Sequence, residues 1–369
     1  MKQTMRIVIY MTLIMAFFSC KEQEKKVPVD VQSMSSILLE GELLEEELLT
    51  PNTVQMEFIQ SKLFLFTPQH EVACLIVNEY ADTLGYLAGI GSGPGELNQW
   101  PYFAGTSINQ DTVYMFDTMS KNLNAYGLSI SSETVGHRFL GSKKMKEGKR
   151  PEGVLDNGIF KLIKLENGYY VGLRLLNSKD LFTLFDENLN EVKRFGDYPF
   201  YDGLDKETDY RMTGYFNGIL KVQGNSLYYA VTRFAYMARY DIGNDGTITK
   251  VWDNFYAKVH SLPKDNNIYF HGDNIEGFTD FAIGKKYIYA AYSGVESGEA
   301  KRQRSAMALY PKTLLVLDLN GTPLAKFDLG KRYFPLCIDE KEEYIYIRHN
   351  DPDVSLWRYK VSDILEHIP

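Results

Sequence analysis

The sequence predicts an all-β protein built as a closed ring of six four-stranded antiparallel blades, a six-bladed β-propeller, and three observations predict it. Of the 369 residues 14% are aromatic, with 29 Gly against 13 Pro, a profile that favours sheet over helical bundle. An apolar–aromatic–apolar triplet recurs six times, centred on Phe64, Tyr114, Tyr170, Tyr228, Tyr289 and Tyr346, at intervals of 50 to 61 residues. Repeats of that period belong to propellers and arrays. Before each triplet comes another apolar run and a short turn; after it comes a third run, and often a fourth. Four strands per unit and six units make a propeller, in which closure of the ring protects the strand edges. An irregular double sandwich, the other all-β arrangement considered, would not produce such even spacing.

Taken in order, the chain begins with Lys2 and Arg6, an apolar run over 7–18, and Ser19 directly before Cys20. The apolar run falls short of the roughly 20 residues that span a bilayer, so residues 1–19 are expected to be an export signal. A small residue followed by Cys resembles a bacterial lipobox, which implies acylation of Cys20 and a membrane anchor. Residues 20–34 follow as a polar tether. Its start, Lys21-Glu22-Gln23-Glu24, resembles the Lys-plus-acidic signals that take some Bacteroidetes lipoproteins to the outer face of the outer membrane.

Residues 35–369 are expected to form one propeller domain. The first-strand runs are 54–59, 103–108, 160–165, 216–222, 278–283 and 334–338, each followed by a turn such as Asn109-Gln110-Asp111 or Glu166-Asn167-Gly168. The plainest outer hairpin is 314–319, Asn320-Gly321, 323–329, where Asn-Gly favours a type I′ turn. The sixth unit ends too soon to hold an outer strand. Residues 35–44 are therefore predicted to supply it and close the ring.

Charge and cysteine content narrow the function classes. The balance of 40 basic against 48 acidic side chains, net −8, argues against general nucleic-acid binding, which needs a basic face. Beyond Cys20 there remain only Cys74 and Cys337, both within apolar strand-like runs, where free Cys behaves as a small hydrophobe. Two buried thiols are expected.

Two stretches carry a resemblance to known proteins. One is Gly91-Ser92-Gly93-Pro94-Gly95-Glu96, between the first blade and the second; the other pairs residues 286–294 with 315–323 in the fifth blade. They resemble the TolB-like six-bladed propeller lipoproteins of Bacteroidetes and, more distantly, NHL-type propellers. The resemblance runs from about Val31 to the end and implies the fold and the envelope location. It implies no chemistry, because fold alone does not determine function.

No catalytic signature stands out. The Gly91 to Glu96 run matches no phosphate-binding pattern and precedes a strand, so it reads as a blade-to-blade turn. The six histidines form no metal-spaced pair in sequence; His260 and His271, with Asp265 and Asp273, bracket one loop that could hold zinc. A six-bladed ring can also host a calcium-dependent hydrolase or lyase whose Asp, Asn and Glu oxygens converge on the axis. The first strands here offer Gln55, Glu57, Thr106, Lys161, Lys164, Asn217, Thr279, Asp280, Cys337 and Asp339. Glu57, Asn217 and Asp280 form the candidate calcium set, with Lys161 and Lys164 opposing it by charge.

The connections are more informative. Residues 141–158 and 297–306 are basic, the latter through Lys301, Arg302 and Arg304, and could steer an anionic ligand. Residues 196–215 mix Tyr198, Phe200, Tyr201, Tyr210 and Tyr215 with Asp197, Asp202, Asp205 and Asp209. Such aromatic plates beside carboxylates suit sugar faces and protein interfaces alike. The leading expectation is a non-enzymatic, membrane-anchored binding propeller of the outer cell envelope, with Tyr198, Tyr201, Tyr210, Tyr215, Asp205, Arg302 and Arg304 facing a glycan, peptide or partner protein.

Overall fold

A computed structural model describes residues 29–46, 53–67, 71–98, 101–146, 158–174, 180–199, 216–264, 267–303, 306–350 and 353–368. It is a six-bladed β-propeller. Blade 1 runs Gln55–Ile59, Lys62–Phe66, Val72–Val77, Thr83–Gly89; blade 2 runs Pro101–Thr106, Thr112–Asp117, Asn122–Ile130, Val135–Lys144. Blade 3 comprises Ile159–Lys164, Tyr170–Arg174, Phe182–Phe185 and Glu191–Phe195; blade 4 comprises Gly218–Gln223, Ser226–Val231, Tyr236–Ile242 and Ile248–Phe255. Blade 5 is Phe278–Ile283, Tyr287–Tyr292, Thr313–Asp318 and Pro323–Asp328. Blade 6 has three consecutive strands, Tyr333–Ile338, Tyr344–Asn350 and Val354–Lys360.

The fourth strand of blade 6 is Glu42–Glu45, antiparallel to Val354–Lys360 with Leu43 opposite Trp357. Closure from the N-terminal side is therefore as the sequence predicted, with an addition. Ile37–Leu38 first pairs in parallel with the outer strand of blade 5, giving that blade a fifth strand. The segment begins earlier still, where Val29 N–H donates to Phe255 O of blade 4 at 2.8 Å and Val31 is fully buried. Seventeen residues thus cross three blades in succession.

The core is divided as the ring is. The buried apolar residues fall into six clusters, one at each contact between neighbouring blades, from blades 1 and 2 around to blades 6 and 1. A middle strand packs a blade on each of its faces, so it buries both and reads as a continuous apolar run and not an alternating one. The centres of all six triplets lie on second strands for this reason, and five of these rings are buried, with Tyr114 partly so. Removing one such ring would cost about 3–5 kcal/mol. Outer strands face water, as the exposed run of Val135–Lys144 shows. Cys74 and Cys337 are free buried thiols in different clusters, as expected.

The Asn320-Gly321 turn departs from its expected type. Only Gly321 of the pair has a positive φ, at +78°, whereas type I′ needs two such residues. Gly321 N–H donates to Asp318 O and Asp318 N–H to Thr322 O, a three-residue loop. Asp318 Oδ1 accepts the N–H groups of Asn320 and Thr322, so the carboxylate, not the Asn-Gly pair, organises the turn. Asp186 does the same for Asn188 and Asn190, and Asn78 for Tyr80 and Asp82.

Candidate functional site: the central channel and its open face

Strand direction decides what each face of the ring carries. Successive strands of a blade are antiparallel, so all six innermost strands begin on one face, where the second-to-third connections and the blade-to-blade connections also lie. Only first-to-second and third-to-fourth hairpins occupy the other face. The innermost hairpins there grip one another. Gln60 N–H donates to Gln110 Oε1 of blade 2 (2.9 Å) and to Glu340 Oε1 of blade 6 (2.7 Å). Lys285 N–H donates to Glu342 Oε1 (2.6 Å), Gln223 Nε2 to Gly284 O (2.9 Å), and Asn167 N–H to Asn225 Oδ1 (2.8 Å). Five of the six blade boundaries are bridged in this way. The described ends of the connections 141–158, 196–215 and 297–306 all lie at the opposite, open face.

A cavity of about 200 Å³ lies where the innermost strands begin, and every blade contributes to its wall. Pro101, Tyr102, Phe103, Leu162, Ile163 and Phe334 make it mainly apolar; Gln55, Lys161, Lys221, Thr279 and Asp280 are its polar groups. Lys221 Nζ donates to Glu57 Oε1 at 2.5 Å and lies 4.0 Å from Asp280 Oδ1. Gln55 Nε2 also donates to Glu57 Oε1, at 3.0 Å. Blades 1 and 4 are opposite in a six-fold ring, so the Lys221–Glu57 bond spans the channel.

The charges are held unequally. Burial works against the Lys221 ammonium, yet Glu57 and Asp280 hold it above its ordinary range. Burial pushes Asp280 up to about 6, against the pull of Lys221 and the N–H groups of Leu336 and Phe281 on its two oxygens. Lys161 is pushed down to about 8 by burial, with Lys221 adding to the effect and Asp280 opposing it. Its Nζ donates to Gly218 O at 2.7 Å and lies 5.3 Å from the centre of the Tyr102 ring. The Cys337 thiol, buried beside Glu57, is held well above its usual range.

Of the candidate calcium set, the structure brings Glu57 and Asp280 together, but around an ammonium. Lys221 takes the place a cation would need, and the donors do not fit calcium. The Asn217 Oδ1 is buried without a hydrogen-bond partner among the described residues. His260 Nδ1 pairs with Asp273 Oδ2 at 2.8 Å, and no cluster of three metal-type side chains occurs among the described residues. Lys221 is the residue that sequence reading missed. It is the one charged side chain in the Gly218–Gln223 strand, a signal of an inward-facing polar position.

The predicted ligand residues divide. Tyr198 packs edge-on against Phe216, ring centres 4.7 Å apart, and supports the core between blades 3 and 4. Arg302 is exposed on the short helix Ser297–Gln303 of the open face. A buried network holds that helix: Ser297 Oγ donates to Glu276 Oε1 (2.5 Å), which pairs with Arg233 (3.1 Å). Gly298 N–H donates to Gly272 O at 2.7 Å, an approach that a side chain on Gly298 would obstruct. Cys20, Tyr201, Asp205, Tyr210, Tyr215 and Arg304 lie outside the described residues. The 91–96 run is a blade-to-blade turn, with Glu96 Oε2 folded back to accept Gly93 N–H at 2.7 Å. No helix among the described residues is long and apolar enough to cross a membrane.

Among solved structures, the chain is similar to a Bacteroides fragilis protein described as exported, with 12% identity, a TM-score of 0.57, and coverage of 90% of this chain and 97% of that one. It also matches the β-propeller domain of Myceliophteria thermophila Cps50 (Swd1) at 7% identity and a TM-score of 0.46, covering 86% and 99%. Kluyveromyces lactis Hsv2 matches at 10% identity and a TM-score of 0.42, covering 89% and 78%. The first likeness supports the fold alone, and the other two carry no argument. No family model matches the chain, and no curated protein matches it.

Proposed function

We propose that this chain is a non-enzymatic binding propeller of the bacterial cell envelope, tethered through lipidated Cys20 and belonging with the TolB-like lipoproteins. Its open face presents a glycan, peptide or partner protein with its binding surface. The observation that carries the reading is the division of the faces. One is closed by hairpins bonded to each other, while the strand ends that lead into the basic and aromatic connections, and the Ser297–Gln303 helix, lie at the other. Long connections on a rigid frame are where binding residues concentrate.

The signal-like segment and Ser19-Cys20 support anchoring, and the Lys-acidic run after Cys20 supports an outward-facing location. The exported description of the Bacteroides fragilis structure supports export as such. A calcium-assisted hydrolase is disfavoured, because the Lys221 ammonium stands between the two carboxylates it would use.

Affinity capture from detergent-solubilised envelopes tests the proposal. A specific partner or glycan should be recovered by the native protein and lost when Lys301 and Arg302 are changed to Glu. Recovery that ignores these changes and persists after loss of the open-face connections would overturn it. Globomycin, which blocks lipoprotein processing, should halt maturation at Cys20; normal maturation in its presence would remove the anchor.

A further inference from the structure

We propose that the cavity at the open end of the channel is a binding site for a small organic monocarboxylate, anchored by the Lys161 ammonium. The inference takes from the proposed function only its choice of binding face. Size comes first. The cavity is about 200 Å³, and an apolar cavity of roughly 150 Å³ holds benzene. A single ring or branched chain bearing one carboxylate fits that space, and a disaccharide does not.

The lining supplies the second argument. Aromatic and aliphatic side chains from every blade but the fifth make up most of the wall, which suits an apolar body. The polar groups then decide the head. Lys221 is engaged by Glu57 and Asp280, and both oxygens of Asp280 accept backbone N–H groups. Lys161 has no carboxylate within ion-pair distance among the described residues; one of its three donors goes to Gly218 O. Asp280 attracts it only from beyond ion-pair distance, and a half-buried cation with no carboxylate in contact, in an apolar cavity, is complemented by a single anion. Thr279 lines the same cavity, and its hydroxyl has no partner among the described residues. A phosphate dianion would require more donors than this wall offers. With its acidity near pH 8, Lys161 is still mostly charged at neutral pH.

Benzoate and its neutral counterpart benzamide are the probes, titrated calorimetrically into the purified mature protein. Benzoate should bind at one site at least about tenfold more tightly than benzamide, a difference of about 1.4 kcal/mol. Lys161→Met should abolish that preference. Because the substitution also removes the bond to Gly218, a second readout uses the native protein. Benzoate should slow reductive methylation of Lys161, followed by mass spectrometry, and leave exposed Lys144 unaffected. Equal binding of the two probes, no saturable benzoate binding, or binding without protection of Lys161 would each overturn the proposal. A capture experiment that recovers no macromolecular partner does not change these readouts, so the two ideas fail separately.

Discussion

Lys221 and Glu57 are 164 residues apart in sequence and joined across the channel at 2.5 Å, linking opposite blades of the ring. The pair bridges the channel at the cavity, whose wall Lys221 joins. It also places a fixed positive charge where a family of metal-dependent propellers would need carboxylates and amides. With side chains only 11% and 21% exposed, the two charges depend on each other.

Loss of the ammonium should therefore be more harmful than loss of the carboxylate. Lys221→Met leaves Glu57 and Asp280 facing one another, and we expect a loss of about 3 kcal/mol in denaturant unfolding. Glu57→Gln leaves Lys221 beside Asp280 and should cost less. Equal effects would mean that the cross-channel bond is not what holds the two charges in place.

His349 should weaken the fold in acid. It is fully buried, its Nε2 bonded to the Tyr359 hydroxyl at 2.8 Å, and burial holds it down to about 4 against an ordinary 6.5. A depressed folded value means the stabilisation is complete above pH 6.5 and disappears as pH falls through 4, a loss of about 3 kcal/mol. Asp280, raised to about 6, acts in the opposite sense: its contribution is complete below about 3.8 and is lost as pH rises through 6. His349→Gln should consequently remove the acid-side loss and leave the Asp280 trend, so that the variant, unlike the native protein, gains stability as pH falls from 6 to 4, measured by chemical denaturation. An unchanged slope would refute the assignment.

Gly321 should resist replacement. At φ +78° a Cβ would meet the Trp252 ring at 2.8 Å, and its carbonyl accepts the Tyr256 hydroxyl at 2.7 Å. Gly321→Ala should cost about 1–3 kcal/mol, from backbone strain together with displacement of a blade 4 ring. Thermal unfolding would check it, with Asn320→Ala as the nearly neutral comparison.

Removal of residues 1–46 should leave blade 6 one strand short and remove the bidentate Arg358–Glu42 contact (2.7 and 2.9 Å). We expect a broad, less cooperative melting transition and exposure of Trp357 fluorescence. Removal of residues 1–28 should leave the transition unchanged. The prediction fails if both truncations melt alike.

Much of this architecture was legible in the sequence because a middle strand buried on both faces leaves a continuous apolar stretch, repeated once per blade. Phe64 through Tyr346 mark those strands, and the short sixth unit pointed to closure from upstream. The type of the Asn320-Gly321 turn was not legible, since Asp318, two residues before, organises it through its own side chain. The channel was half legible. Glu57, Asp280 and Lys161 stood out as charges on innermost strands, but which lysine would meet which carboxylate depends on which blades face each other, and the pattern along one strand says nothing of that. The 201–215 aromatics, the richest part of the sequence reading, lie outside the described residues.

The passage of residues 29–45 over blades 4, 5 and 6 has a mechanical consequence. A pull on the chain from upstream meets the Val29–Phe255 bond first, then the Ile37–Leu38 pairing, and only afterwards the Glu42–Glu45 strand that seals the ring. Tension is shed contact by contact before the seal is loaded. Were the chain tethered through Cys20, as proposed, that ordering would work as strain relief, as on a cable where it enters its housing.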